Sequence, residues 1–177
     1  MIYIPTDDEA VVANAVGEWR HVKAAHSKNP PLPHLKEDEV IQQDRDAVLG
    51  ELTVARALNM YPTGLDKGSK GIADVGYFCE VRMVRPPKPA SLQHNDRRHL
   101  DSDRREDRPM VFVVVDNRRT EFRRVDILGW DYLSDLFERA VPQRQTHVMP
   151  WWRVSMEGLR HIDELKKVAL EWLWSKS

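Results

Sequence analysis

The chain has 177 residues, 41% of them apolar and six of them Trp, enough to bury one core, so a single domain over residues 1–177 is expected. A lone cysteine, Cys79, excludes a disulfide framework and a Cys-based zinc site and fits a reducing, cytoplasmic setting. MIYIP runs straight into acidic TDDE, and no stretch approaches the ~20 apolar residues of a membrane span, so neither a secretory leader nor a membrane partner is expected.

The net charge of −1 hides an asymmetry. Residues 1–81 carry 8 Lys and Arg against 13 Asp and Glu, residues 82–124 carry 12 against 7, and residues 125–177 carry 7 against 8. A basic middle third that begins at an acidic cluster suits a protein that keeps a surface for phosphates beside a carboxylate pocket.

In chain order, Thr6 caps a helix expected over 7–26, whose first turn holds Asp7, Asp8 and Glu9 at the positive end of the dipole. Val12, Ala15, Val16, Trp19 and Val22 recur at helical spacing and mark its apolar side. After the extended connection NPPLP, a second helix is expected over 37–59. Glu51 is its anomaly. The residues three and four positions away are Ala47, Val48, Val54 and Ala55, all apolar, so the carboxylate projects from the stripe that should face the core. Such a group needs a hydrogen bond, a proton or a cation. An Arg such as Arg56 would be the plain partner, and a functional centre the alternative.

YPTGLDKGSKGI is turn chemistry, and ADVGYFCEVRMV then reads as a strand hairpin over 73–84. Alternation puts Glu80 and Arg82 on one face and Cys79, Val81 and Met83 on the other. Asp74 precedes Glu80 by six residues, and Gly76 between them lets the backbone bend so that the two carboxylates meet. Two carboxylates that close repel unless a proton or a cation separates them, and hard oxygen donors suit a divalent metal. Residues 86–109 lack periodicity and read as a long loop or a short helix. MVFVVVD is an apolar strand covered on both faces, 121–128 its hairpin partner, 130–140 a short helix, and Ser155 the cap of a final helix reaching to about residue 174. Trp151 and Trp152 are better core candidates than base-stacking ones.

Together these motifs carry a resemblance. GELTVARAL with Glu51, then Asp74, then Glu80-Val81-Arg82, resembles the catalytic core of the PD-(D/E)xK nuclease superfamily. The order GE…A, DVG…EVR, FVVVD and Gly129-Trp130 is similar to small nuclease-like proteins of bacteriophages, over roughly residues 45–130. The resemblance implies an α/β, restriction-endonuclease-like core: a small mixed β-sheet flanked by α-helices, with the core over 37–130 and C-terminal helices over 130–174. It implies a metal-dependent endonuclease acting on DNA in a bacterial or phage-infected cell, with a homodimer as the form in which many such enzymes cut both strands. Asp74, Glu80 and the main-chain carbonyl of Val81 would hold Mg²⁺ or Mn²⁺. Glu51 would bind a second ion or orient the attacking water.

Arg82 stands where the family usually has Lys. It keeps the charge but does not readily release a proton, so it suits phosphate stabilisation and not general-base duty. Arg85, Lys88, Arg97 and Arg98 follow the motif strand and are the expected backbone contacts. The competing reading is a non-catalytic nucleic-acid-binding or protein-interaction module on the same scaffold, and a third is a structural protein in which Glu51 merely pairs with Arg82.

Overall fold

The computed structural model describes residues 1–25, 36–63, 73–93, 96–97, 107–116, 124–143 and 150–176. In chain order these form β1 (Ile2–Tyr3), α1 (Asp7–Ala25), α2 (Glu37–Leu58), β2 (Glu80–Met83), β3 (Ala90–Leu92), β4 (Pro109–Asp116), β5 (Arg124–Tyr132), α3 (Leu133–Arg139), β6 (Val141–Gln143), β7 (Trp151–Val154) and α4 (Ile162–Lys176). The class is mixed α/β.

Four strands make a mixed sheet in the order β1-β5-β4-β2, with β2 parallel to β4 and the remaining neighbours antiparallel. A second, antiparallel sheet runs β3-β7-β6. Its strands are three or four residues long, too short for period-two patterning to show. The apolar run of β4 serves two layers, as its composition requires. Val111 and Val113 face the main core with α2 and α4, whereas Met110 and Phe112 face a second cluster with Leu92, Leu136, Phe137 and Val154.

Thr6 and Glu9 cap α1 reciprocally, the Thr6 hydroxyl accepting the Glu9 N–H at 3.2 Å and the Glu9 carboxylate accepting the Thr6 N–H at 2.6 Å. Of its expected apolar side, only Val16 packs on the core among the residues named. Ala13, Gly17 and Arg20 face inward, while Val12, Trp19 and Val22 are exposed. A Cβ on Gly17 would lie 2.8 Å from the Arg45 nitrogen and 2.9 Å from its Cα. The two helices therefore cross at backbone contact, and small residues, not large apolar ones, define that side.

From Val48 onward α2 is buried nearly all round, enclosed by α1, the mixed sheet and α4. Gly50 lets it settle on the sheet, since a Cβ there would sit 2.9 Å from Val113 Cγ2.

Two further expectations need correction. Trp130 does not open a helix: β5 continues through it to Tyr132. Pairing shifts between Phe112 and Val113, opposite Gly129 and Ile127 respectively, so Leu128 is the extra residue of a bulge. Gly129, at φ +151°, lies where a Cβ would be 2.8 Å from the Arg160 carbonyl oxygen. This close approach lets the indole N–H of buried Trp130 donate to the His161 carbonyl at 2.9 Å. Likewise Ser155 does not cap the last helix. Its hydroxyl accepts the Glu157 N–H in a turn, and the helix begins only at Ile162 because Arg160 is spent in an antiparallel backbone bridge to Trp130. Trp151 and Trp152 lie on that strand, half-buried, with Trp152 edge-on to Phe137 at 5.1 Å.

Among the described residues, no helix is long and apolar enough to cross a membrane.

Candidate functional site

The segment between Asp74 and Glu80 closes as a tight turn. Val75 and Cys79 exchange both backbone hydrogen bonds, at 3.1 and 3.2 Å, and the Phe78 N–H returns to the Val75 carbonyl at 2.9 Å. The central residues of the Val75–Phe78 turn, Gly76 at φ +58° and Tyr77 at φ +59°, are both left-handed, as a turn of the primed kind demands, and Phe78 is left over between that turn and the Val75–Cys79 pair. The approach to the turn is pinned from outside: the Thr63 N–H donates to the Asp74 carbonyl at 2.9 Å and the Gly76 N–H to the Tyr61 carbonyl at 3.0 Å. The bend expected at Gly76 is there, and it sets Asp74 and Glu80 side by side at the mouth of β2.

β2 is an edge strand, and its outer edge is open to a cleft of about 510 Å³. The opposite wall is a stripe of α2 comprising Gln43, Asp44, Ala47 and Glu51, spaced as one helical face. Asp74, Glu80, Val81 and Arg82 line the near wall, and Arg85 and Lys88 stand at the rim. The amide of Val81 donates to Asp74 Oδ2 at 2.8 Å, away from β4. In an extended strand the N–H and C=O of one residue project to the same edge, so the Val81 carbonyl also faces the cleft.

Charge in this corner is concentrated. Burial first, and then the neighbouring Asp74 carboxylate, push the Glu80 carboxyl up to about 7, against the opposing pull of Arg108 and Arg82. Arg108 donates to Glu80 at 3.3 Å. The same two carboxylates, after burial, drive the Cys79 thiol upward, which leaves it an inert core group behind the site.

The two remaining candidates are held by partners that the sequence did not reveal. Glu51 is 5% exposed and receives Arg20 through two hydrogen bonds, Nη1 to Oε1 at 3.0 Å and Nη2 to Oε2 at 2.7 Å. Its partner is thus neither Arg56 nor Arg82. Arg56 instead reaches Glu9 at 2.9 Å. Arg82 meets both oxygens of the buried Asp96 carboxylate, at 2.7 and 2.8 Å, and Asp96 in turn accepts the Gln93 N–H at 2.6 Å. Of the four expected phosphate contacts, Arg85 and Lys88 line the cleft. Arg97 lies elsewhere, its guanidinium over the Phe137 ring at 5.3 Å. Arg98 falls outside the described residues, as does the whole of the basic stretch 64–72.

Among the described residues, no group of three or more His, Cys, Asp and Glu side chains gathers closely enough to hold a metal ion. The donor set is therefore two carboxylates and a carbonyl. That fits one hard divalent cation of the magnesium type, which commonly takes one or two carboxylates and keeps its other positions for water and substrate phosphate. Protein-family models, curated proteins and solved structures give no match to the chain.

Proposed function

We propose that the cleft hydrolyses phosphodiester bonds of DNA with the help of a divalent cation, on a core of the restriction-endonuclease-like kind. The observation that carries this reading is the Asp74–Glu80 pair: two half-buried carboxylates at an open strand edge, one raised to about 7 by the other and by burial. A charge arrangement so costly to ionise is relieved by a cation, and a phosphate-bearing substrate is the natural ligand beside Arg82, Arg85 and Lys88. Asp74, Glu80 and the Val81 carbonyl would hold Mg²⁺ or Mn²⁺, which supplies charge neutralisation on the scissile phosphate and acidifies water. Arg82, oriented and charge-balanced by Asp96, holds its guanidinium at the cleft wall, where its other N–H groups would donate to the phosphate. Glu51, tied to Arg20, shapes the far wall and contributes net charge only as half of an ion pair.

Cleavage of labelled single-stranded, duplex and branched DNA in Mg²⁺ or Mn²⁺, set against EDTA and against Glu80→Gln, tests the proposal. Metal-dependent products that disappear in the variant are expected. One observation favours a second reading, a nucleic-acid-binding module without catalysis: Glu51 and Arg82 both have side-chain partners already, and among the described residues no third acid joins Asp74 and Glu80 closely enough to hold a cation with them. Binding that persists with no product from any strand would support it and overturn the first.

A further inference from the structure

On the far side of Arg108 from the acid pair lies a second hollow, of about 310 Å³. Four aromatic rings line it, Tyr77 and Phe78 from the turn, Tyr132 from the end of β5 and Trp172 from α4, together with Arg108 and two carboxylates, Asp107 and Glu171. This volume is at the small end for ligand pockets and suits one planar group. Arg108 belongs to both places, since it donates to Glu80 at 3.3 Å and lines the aromatic hollow.

Tyr77 gives the hollow its meaning. It is the tip residue of the turn that brings Asp74 and Glu80 together, it is 50% exposed, and its backbone sits at φ +59°. A bulky side chain in that conformation is strained, and glycine would satisfy the turn without strain. Tyr61 meets the Tyr77 ring edge-on at 6.3 Å, which steadies its orientation. A strained, exposed, braced aromatic at the tip of the acid-bearing turn is what a stacking platform needs, and the fold of the turn does not need it.

We infer that this hollow is a nucleobase subsite, which takes one unstacked base of a single strand whose phosphate lies against Arg108 and the Asp74–Glu80 cleft. This inference rests on the phosphodiesterase reading and names its substrate as single-stranded or locally unpaired nucleic acid. A base held in a duplex is covered on both faces and does not enter an aromatic hollow; an unpaired one does, on aromatic rings that accept any base. Arg108 bridges the two sites in the way a backbone contact between base and scissile phosphate requires.

The test is binding in EDTA, where no strand is cut, of a short single-stranded DNA carrying 2-aminopurine, of the same strand with an abasic position, and of the duplex. Wild type is expected to quench the 2-aminopurine fluorescence and to hold the base-bearing strand at least about fivefold more tightly than the abasic one. Tyr77→Gly, which keeps the turn and should raise the Tm, is expected to lose about tenfold in affinity for the single strand together with the quenching, while Tyr77→Phe stays within about twofold of wild type. Equal binding of base-bearing and abasic strands, or a Tyr77→Gly that binds and quenches as wild type, overturns the subsite. Tight binding of duplex with none of single strand overturns the subsite alone, whereas no binding of any DNA overturns the functional reading with it.

Discussion

Arg20 on α1 holds Glu51 on α2 through two hydrogen bonds of 3.0 and 2.7 Å, and the two side chains are 1% and 7% exposed. This forked pair sits where the helices touch at backbone distance, so each charge is out of water and depends on the other. Removing one partner alone leaves an uncompensated buried charge. Arg20→Met or Glu51→Met is therefore expected to cost about 3–5 kcal/mol in urea unfolding, while the double replacement Arg20→Met with Glu51→Met recovers most of it. Additive losses in the double variant would show that the pair is not coupled. An activity loss in a Glu51 variant is informative about chemistry only after its folding has been measured.

Gly17 makes that pair reachable. An added methyl would come 2.6 Å from Arg45 Cγ and within 2.9 Å of Arg45 backbone atoms, none of which can turn aside as a side-chain tip would. Gly17→Ala should raise intrinsic helix propensity by up to about 1 kcal/mol, yet the helices must part. A net destabilisation of about 1–3 kcal/mol is expected, seen as a lower urea midpoint. A midpoint equal to or above that of wild type would show that the crossing yields without loss.

The Glu51 anomaly was legible because three- and four-residue spacing needs only local sequence, and the Asp74–Gly76–Glu80 bend because turn chemistry is equally local. The partner of Glu51 was not, since Arg20 lies 31 residues away and looks like an ordinary surface arginine. A signal for it exists in hindsight: Ala13 and Gly17 share its side of the helix, and small residues there mark a close crossing. The apolar count pointed instead to Val12, Trp19 and Val22, which face outward. β3, β6 and β7 escaped notice because strands of three or four residues are too short to carry a usable period, and each has a Pro just before it or within it. Arg108 and Asp96, which charge-compensate Glu80 and Arg82, are tertiary partners that no spacing rule connects to the motif.

Glu80 gives the fold a pH dependence of definite sign. The carboxyl titrates near 4.5 when unfolded and at about 7 in the fold, so folding takes up a proton between these values. Its contribution is full below pH 4.5 and is lost as the pH rises through 7. With the side chain 30% exposed, solvent screening reduces the effect to about 1–2 kcal/mol. Glu80→Gln should flatten this part of the profile and be the more stable protein at pH 8. Urea unfolding from pH 5 to 8 in EDTA measures it, and parallel curves for the two proteins would mean that Glu80 is not raised.

Asp74 separates the cation reading from the proton reading. Its carboxylate accepts the Val81 N–H at 2.8 Å and is the charge that, after burial, raises Glu80. Asp74→Asn keeps an acceptor for that amide and removes the charge, so the turn is retained while Glu80 falls back towards its ordinary range. For wild type at pH 8, Mg²⁺ at ten times its dissociation constant is expected to stabilise the fold by about 1.4 kcal/mol, and the same concentration at pH 6 by less, because the ion and the proton compete for Glu80. In Asp74→Asn the calorimetric affinity should drop at least about tenfold, one charged ligand being gone, and the stabilisation at the same Mg²⁺ concentration fall to about 0.4 kcal/mol or less. Stabilisation by Mg²⁺ that survives undiminished in the variant would place the ion elsewhere. Its absence from both proteins would leave the raised carboxyl to a proton, and the cleft would then bind phosphates through Arg82, Arg85 and Lys88 without the means to cut them.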